Sequence, residues 1–204
     1  ANQTVITGQT ASLSAAASGS PTPTLQWQVS ADSGNSWLDI AGANSATYSF
    51  TVQSADTGKQ FRAIFTNSLG SATSNAASLT VNNIAPTVTA HPASQTVNAG
   101  QTVNFSAAAS GAPTPTVQWQ VSTDGTNWSI INGATSTTYS MIAQPGDNGK
   151  KYRAIFTNAA GSAASNPATL SLFNTPPNSP TLILPADGAT GVSTSPALNV
   201  SVSD

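Results

Sequence analysis

The chain has 204 residues, with five Lys plus Arg, seven Asp, no Glu, one His and no Cys, and only 6% of its residues are charged. So few cations, spread along the whole length, cannot neutralise a row of phosphates, which excludes a nucleic-acid groove or an anionic membrane patch. The lack of Cys excludes a disulfide framework and a thiolate metal site, no apolar run approaches the roughly 20 residues of a membrane helix, and Ala1 does not open a signal peptide.

A sentence written twice organises the chain. SGSPTPTLQWQVS at residues 18–30 returns as SGAPTPTVQWQVS at residues 110–122. Trp119 follows Trp27 by 92 positions (119 − 27) and Tyr152 follows Phe61 by 91 (152 − 61), so whole domains repeat with one loop residue deleted between those points. The expected boundaries are residues 1–82 for a first sandwich, 83–173 for a second, and 174–204 for a linker and the opening strands of a third module.

Within the first copy, Ala11, Leu13, Ala15 and Ala17 alternate with polar or small neighbours after a turn at Gly8, the pattern of a half-buried strand. The second copy places Val103, Phe105, Ala107 and Ala109 inward after Gly100. Past the proline-held turn, Leu25, Trp27 and Val29 point in while Gln26 and Gln28 point out; Val117, Trp119 and Val121 repeat the inward set, Gln118 and Gln120 the outward one. Asp/Gly/Asn turns at 32–35 and 124–127 lead Trp37 and Trp128 into a short strand, and Tyr48, Phe50 and Val52 alternate next, matched by Tyr139, Met141 and Ala143. Then Phe61, Ala63 and Phe65 face one way and Arg62, Ile64 and Thr66 the other, with Gly70 closing a hairpin into Ala77, Leu79 and Val81. Short strands divided by turns at regular spacing predict an all-β fold of two sandwiches. Residues 82–92 supply a first strand to the second copy whose counterpart in the first would precede Ala1. The tail after 174, too short to close a core alone, is expected to add a partial β segment.

The spacing GxPxPxxxW followed by DxGxxYxA and N..G resembles immunoglobulin domains of the intermediate set, in the cysteine-free form found as tandem repeats of large bacterial secreted and cell-surface proteins. The tail resembles the start of a fibronectin type III or bacterial Ig-like module. The resemblance implies two tandem immunoglobulin-like sandwiches over residues 1–172 and an extracellular or cell-surface location. It places the family's core tryptophan on Trp27 and Trp119, and its half-cystines on Ala15 with Ala63 and on Ala107 with Ala154. A bridge closing a loop of about 50 residues contributes on the order of 4 kcal/mol, so packing must supply that here. The family's corner tyrosine falls on Tyr152, with Phe61 as its counterpart. Because Phe61 lacks a hydroxyl for the corner hydrogen bond, the first sandwich is expected to be the weaker.

No motif for nucleophilic, metal or phosphate chemistry is present, so no enzyme activity, cofactor or metal is expected. His91, alone beside Pro92, reads as a solvated residue. Asp32, Asp39, Asp56, Asp124 and Asp147 read as turn residues bonding their own backbone, Asp187 would matter only if turns converged on calcium, and Lys59 or Lys150 would matter only in an isopeptide bond. Sequons begin at Asn2, Asn104, Asn127 and Asn199. Trp37 and Trp128, beside loops, are candidates for a sugar platform. The better candidate for partner contact is the outward face of Gln26, Gln28, Arg62, Ile64 and Thr66, copied as Gln118, Gln120, Arg153, Ile155 and Thr157, with a protein or a cell-surface glycan as partner. The expected roles are a structural or adhesive spacer array, accessory domains of a secreted enzyme, or a filament subunit that self-associates by strand addition at exposed edges.

Overall fold

The computed structural model describes residues 1–173, the strands at 181–184 and 199–201, and residue 190. The chain is all β. In the first repeat the strands are β1 (Gln3–Ile6), β2 (Thr10–Ser14), β3 (Thr24–Ser30), β4 (Leu38–Asp39), β5 (Thr47–Thr51), β6 (Gln60–Asn67), β7 (Gly70–Thr73) and β8 (Ala77–Asn82). The second repeat holds β9 (Ile84–Ala90), β10 (Gln95–Val97), β11 (Thr102–Ser106), β12 (Ala108–Ala112), β13 (Thr116–Ser122), β14 (Ser129–Ile130), β15 (Thr138–Ile142), β16 (Lys151–Asn158), β17 (Gly161–Ala164) and β18 (Ala168–Leu172). Further on, β19 (Thr181–Leu184) pairs antiparallel with β20 (Asn199–Ser201). The expected linker at 174–180 and Asp187 lie outside the described residues.

Each repeat faces one sheet against another. The larger sheet of the first runs β1-β8-β6-β3-β4 with β7 also on β6, and that of the second runs β10-β18-β16-β13-β14 with β17 on β16. The opposing layers are β2 with β5 and β11 with β15. Period-2 alternation does the rest: β6 and β16 bury every second residue, so Phe61, Ala63 and Phe65, or Tyr152, Ala154 and Phe156, enter the core. Trp27 and Trp119 are 3% and 0% exposed, and each indole donates to a backbone carbonyl, Ser45 at 2.9 Å and Ser136 at 2.8 Å. That bond removes the cost of burying an indole N–H.

Several expectations are corrected. The strand after the Gly70 turn is two strands, β7 and β8, because after pairing with β6 the chain leaves at residues 74–76 and returns to carry β1 in parallel on its other edge. The residues before Gly8 form β1, which pairs with β8 from Gln3 opposite Leu79 to Ile6 opposite Asn82. Ala15 is only half-buried and Ala17 exposed, whereas the corresponding Ala107 is 3% exposed, since β9 and β12 pair along that edge of the second repeat and residues 16–20 form no strand in the first. Tyr152 makes no hydroxyl hydrogen bond among the described residues. Its ring stacks on Phe105, centroids 4.8 Å apart, and burial raises the phenol's pKa, so the residue serves as a core aromatic and not as a corner tie. The first repeat stacks Tyr48, Phe50 and Phe61 instead, with Phe50 and Phe61 at 5.2 Å.

One residue, Asn83, separates β8 from β9. Its side-chain oxygen accepts from Thr7 and Ser54 hydroxyls of the first repeat, at 2.6 and 2.8 Å, while the carbonyl of Ile84 accepts from Asn158 of the second at 2.8 Å. The one connecting residue is thus tied to the first repeat, and the strand that follows it at once is tied into the second.

Candidate functional site

Antiparallel pairing of β3 with β6 sets Gln28 opposite Arg62 and Gln26 opposite Ile64, and β13 with β16 sets Gln120 opposite Arg153 and Gln118 opposite Ile155. The outward face named from the sequence is one contiguous patch in each repeat, since cross-strand neighbours stand within side-chain reach. Arg62 Nε donates to Gln28 Oε1 at 2.8 Å, and Gln28 Nε2 donates on to Asp39 at 2.7 Å. The Arg62 guanidinium carbon lies 4.1 Å from the centroid of the Trp37 ring. In the second repeat Arg153 donates to Gln120 at 2.9 Å and stacks on Trp128 at the same 4.1 Å, while Ile130 takes the place of Asp39, so the ladder loses its carboxylate. Burial lowers the Arg153 pKa, which is the cost of laying a cation on a sheet.

The members of the face are not equivalent. Gln26 and Gln118 turn their amides onto the following loop, donating to Ile40 and Ile131 carbonyls at 2.8 Å in each case, so they brace that loop. Ile64 and Ile155 are half-buried beside β7 and β17. Thr66 and Thr157 share hydroxyl bonds with Ser71 and Ser162 at 2.9 and 2.8 Å. What remains for a partner is the Arg–Trp pair. No hydrogen bond engages the Nη atoms of either arginine among the described residues, leaving fork-shaped donors beside an apolar ring edge. The same arginine covers one face of each tryptophan, so neither offers two open faces for stacking a sugar. Sequence reasoning missed this pairing because Trp37 and Arg62 are distant in the chain; both being copied in the second repeat was the available signal.

The other singled-out groups have structural work. Asp32 accepts from the Ser36 hydroxyl at 2.6 Å and the Ser36 N–H at 2.9 Å, which with Ser30 hold its pKa down to about 2. The Asn127 and Thr126 amides likewise hold Asp124 well below the carboxylate range. Burial pushes Asp56 and Asp147 up, but hydrogen bonds from Lys59 and Lys150 and from the Gln53 and Gln144 amides outweigh it and leave both lowered. Lys59 and Lys150 meet these aspartates at 2.7 and 2.8 Å as ion pairs, three residues apart. His91 is not merely solvated: its Nδ1 accepts the Asn166 N–H at 3.0 Å. Among the described residues no group of three His, Cys or acidic side chains is placed to hold a metal, and no helix is long and apolar enough to cross a membrane.

A family model described as "Domain of unknown function (DUF8696)" matches twice, over residues 1–83 and 87–173. Endoglucanase C of Cellulomonas fimi is 46% identical over 169 residues, a match covering 83% of this chain but 15% of that protein. Among solved structures, Sidekick-1 immunoglobulin domains 1–5 superpose with a TM-score of 0.52 at 23% identity, over 85% of this chain and 38% of that one. A chimeric titin Z1Z2 structure aligns with a TM-score of 0.45 at 27% identity, over 85% and 93%. The two repeats are tandem immunoglobulin-like sandwiches.

Proposed function

Since the chain belongs to the family described as "Domain of unknown function (DUF8696)", with one copy in each repeat, we propose that it is a non-catalytic pair of accessory modules in a bacterial extracellular protein. Its task is to hold other parts of that protein at a set separation. The observation that carries this reading is the match to Endoglucanase C: 83% of this chain corresponds to only 15% of a much longer protein. A unit of that kind recurs as a portable module, and function in such folds lies in what is attached or presented. The Asn83 junction supports the spacer role, because a connector of one residue, its side chain held by the first repeat, has none of the length that gives a linker its freedom. The half-buried Arg62–Trp37 and Arg153–Trp128 pairs, whose arginine Nη atoms carry no hydrogen bond among the described residues, favour a second element, weak contact with a glycan or protein surface along one side of the array.

The test uses the purified chain on carboxymethyl-cellulose and on insoluble cellulose. The expected result is no release of reducing ends and, by small-angle scattering, one narrow distribution of inter-repeat distance. Hydrolysis by the chain itself would refute the accessory reading, and a broad distance distribution would refute the spacer. Adsorption to the insoluble polymer that disappears in the Arg62→Ala/Arg153→Ala variant would assign the contact to the paired face.

A further inference from the structure

The Arg–Trp face is built twice on one backbone plan, and the two copies differ in what they leave for a partner. In the first repeat the donors around Arg62 meet acceptors of the chain itself. Gln28 Nε2 donates to Asp39 at 2.7 Å, and the Trp37 indole N–H donates to the Gly34 carbonyl at 3.0 Å. Two positions before Arg62 on β6 stands the neutral Gln60, whose side-chain oxygen lies 3.0 Å from where a Cβ on Gly34 would be. One cation on this face is thus matched by one carboxylate, through the amide of Gln28.

In the second repeat those acceptors are gone. Ile130 stands opposite Gln120 where Asp39 stands opposite Gln28. Gln120 Oε1 is taken by Arg153, and its Nε2 has no partner among the described residues. The Trp128 indole N–H has none there either. Lys151 replaces Gln60, and its Nζ lies 3.0 Å from where a Cβ on Gly125 would be, a turn glycine held by Ser122 as Gly34 is held by Ser30. Lys151 and Arg153, two residues apart on β16, face the same side about 7 Å apart. Other charges of the repeat are engaged elsewhere: Lys150 pairs with Asp147, and Asp124 accepts within its own turn. Among the described residues no carboxylate lies within ion-pair distance of Lys151 or Arg153.

We propose that the face of the second repeat, and not that of the first, binds the carboxylate groups of an acidic polysaccharide, a polymer containing uronic acid units. This rests on the partner contact proposed above for the Arg–Trp pairs and narrows it to one repeat and one chemistry. The Nη edge of Arg153 is a planar fork that meets a carboxylate with two parallel hydrogen bonds, and Lys151 supplies a second charge on the same side. Gln120 Nε2 and the Trp128 indole N–H donate to sugar hydroxyls, while the Trp128 ring edge and the exposed Ile130 cover the apolar C–H side of a sugar. An acidic peptide would meet the same cations, but its backbone N–H groups would be desolvated against a face of donors, at about 1–3 kcal/mol for each one left unpaired. A sugar hydroxyl accepts from such a donor and turns its own proton to water. Two cations suit one or two carboxylates, not the continuous charge of a nucleic acid. In the first repeat Asp39 repels a carboxylate approaching Arg62.

The experiment titrates tetragalacturonate, with galactotetraose as its uncharged counterpart and tetraglutamate as an acidic peptide, into the full 204-residue chain. NMR follows the indole N–H, arginine Nε–H and backbone amide signals. The expected result with tetragalacturonate at low salt is saturable movement at Trp128 and Arg153 but not at Trp37 and Arg62, with a Kd of about 1 mM or below. Raising the salt to about 1 M, where the screening length falls to about 3 Å, weakens it about tenfold. Arg153→Gln abolishes the binding. So does Ile130→Asp, a change at an exposed position that gives Gln120 the acceptor Gln28 has and leaves the thermal transition in place. The converse exchange, Asp39→Ile with Gln60→Lys, brings the movement to Trp37 and Arg62. Equal movement in both repeats, binding that survives Ile130→Asp, or tighter binding of tetraglutamate, which gives the face to an acidic protein, would each overturn the proposal. Equal binding of galactotetraose at both faces would overturn it while leaving the broader contact reading in place; no movement of either face with any of the three ligands would remove both.

Discussion

Phe105 offers the sharpest test of how the second repeat is held together without a disulfide. Its side chain is 0% exposed, stacked on Tyr152 with ring centroids at 4.8 Å and tilted against Trp119 at 6.4 Å. Truncation to Ala removes the ring and leaves a cavity between two sheets, which costs about 3–5 kcal/mol. Replacement by Leu, the residue at the corresponding Leu13 of the first repeat, keeps an apolar side chain but forfeits two aromatic pairs at about 0.5–1.5 kcal/mol each. The expected order is therefore wild type, then Phe105→Leu lower by about 1–3 kcal/mol, then Phe105→Ala. For a domain of this size each kcal/mol lowers Tm by about 4–8 °C. Guanidinium unfolding followed by fluorescence and circular dichroism measures it, with the midpoint moving at unchanged slope. The transition of the first repeat should stay in place, because none of these contacts reaches it. A loss below about 1.5 kcal/mol for Phe105→Ala, outside the range for buried aromatics, would refute the stacked core; so would equal shifts in both repeats.

Three further outcomes follow from the same structure. Asn158→Ala should cost the second repeat more than Asn67→Ala costs the first, by about 1 kcal/mol, since the extra bond to Ile84 is the difference between them; equal losses would refute the tie. Arg62→Ala or Arg153→Ala should each cost about 0.5–1 kcal/mol and shift tryptophan emission to the red as the guanidinium uncovers the ring, and unchanged emission would refute the stacking. Asp32, Asp56, Asp124 and Asp147 all have lowered pKa values in the fold, so the stability they add is present above the ordinary carboxylate pKa of 3.8 and is lost as pH falls below it, for Asp32 towards about 2. Tyr48, Tyr139 and Tyr152 have raised values, so their contribution is complete below 10.0 and is lost above it. Tm should hold level between about pH 5 and 9 and fall on both sides; a decline starting near neutrality would refute this assignment.

What the sequence alone determined is whatever depends on alternation and on repetition. A period of two fixes which side of a strand faces the core, so Trp27, Ala63, Trp119 and Ala154 could be placed inside from their neighbours alone. Repetition of the same alternation fixed two sandwiches in place of one, and a strand face legible from Gln28 and Arg62 in one copy was legible from Gln120 and Arg153 in the other. The tertiary structure decided what depends on residues far apart in the chain. Trp37 lies under Arg62 because β4 and β6 flank β3 on opposite edges, a proximity set by sheet order and not by spacing. Tyr152 packs where a hydrogen bond was expected because Phe105 and Tyr139 flank its ring. Alternation made Ala15 and Ala107 equivalent, yet they differ in burial because a strand's inward face is buried only when the neighbouring edge is covered. In the second repeat β9 provides that cover, through a pairing with β12 that alternation within either strand does not reveal.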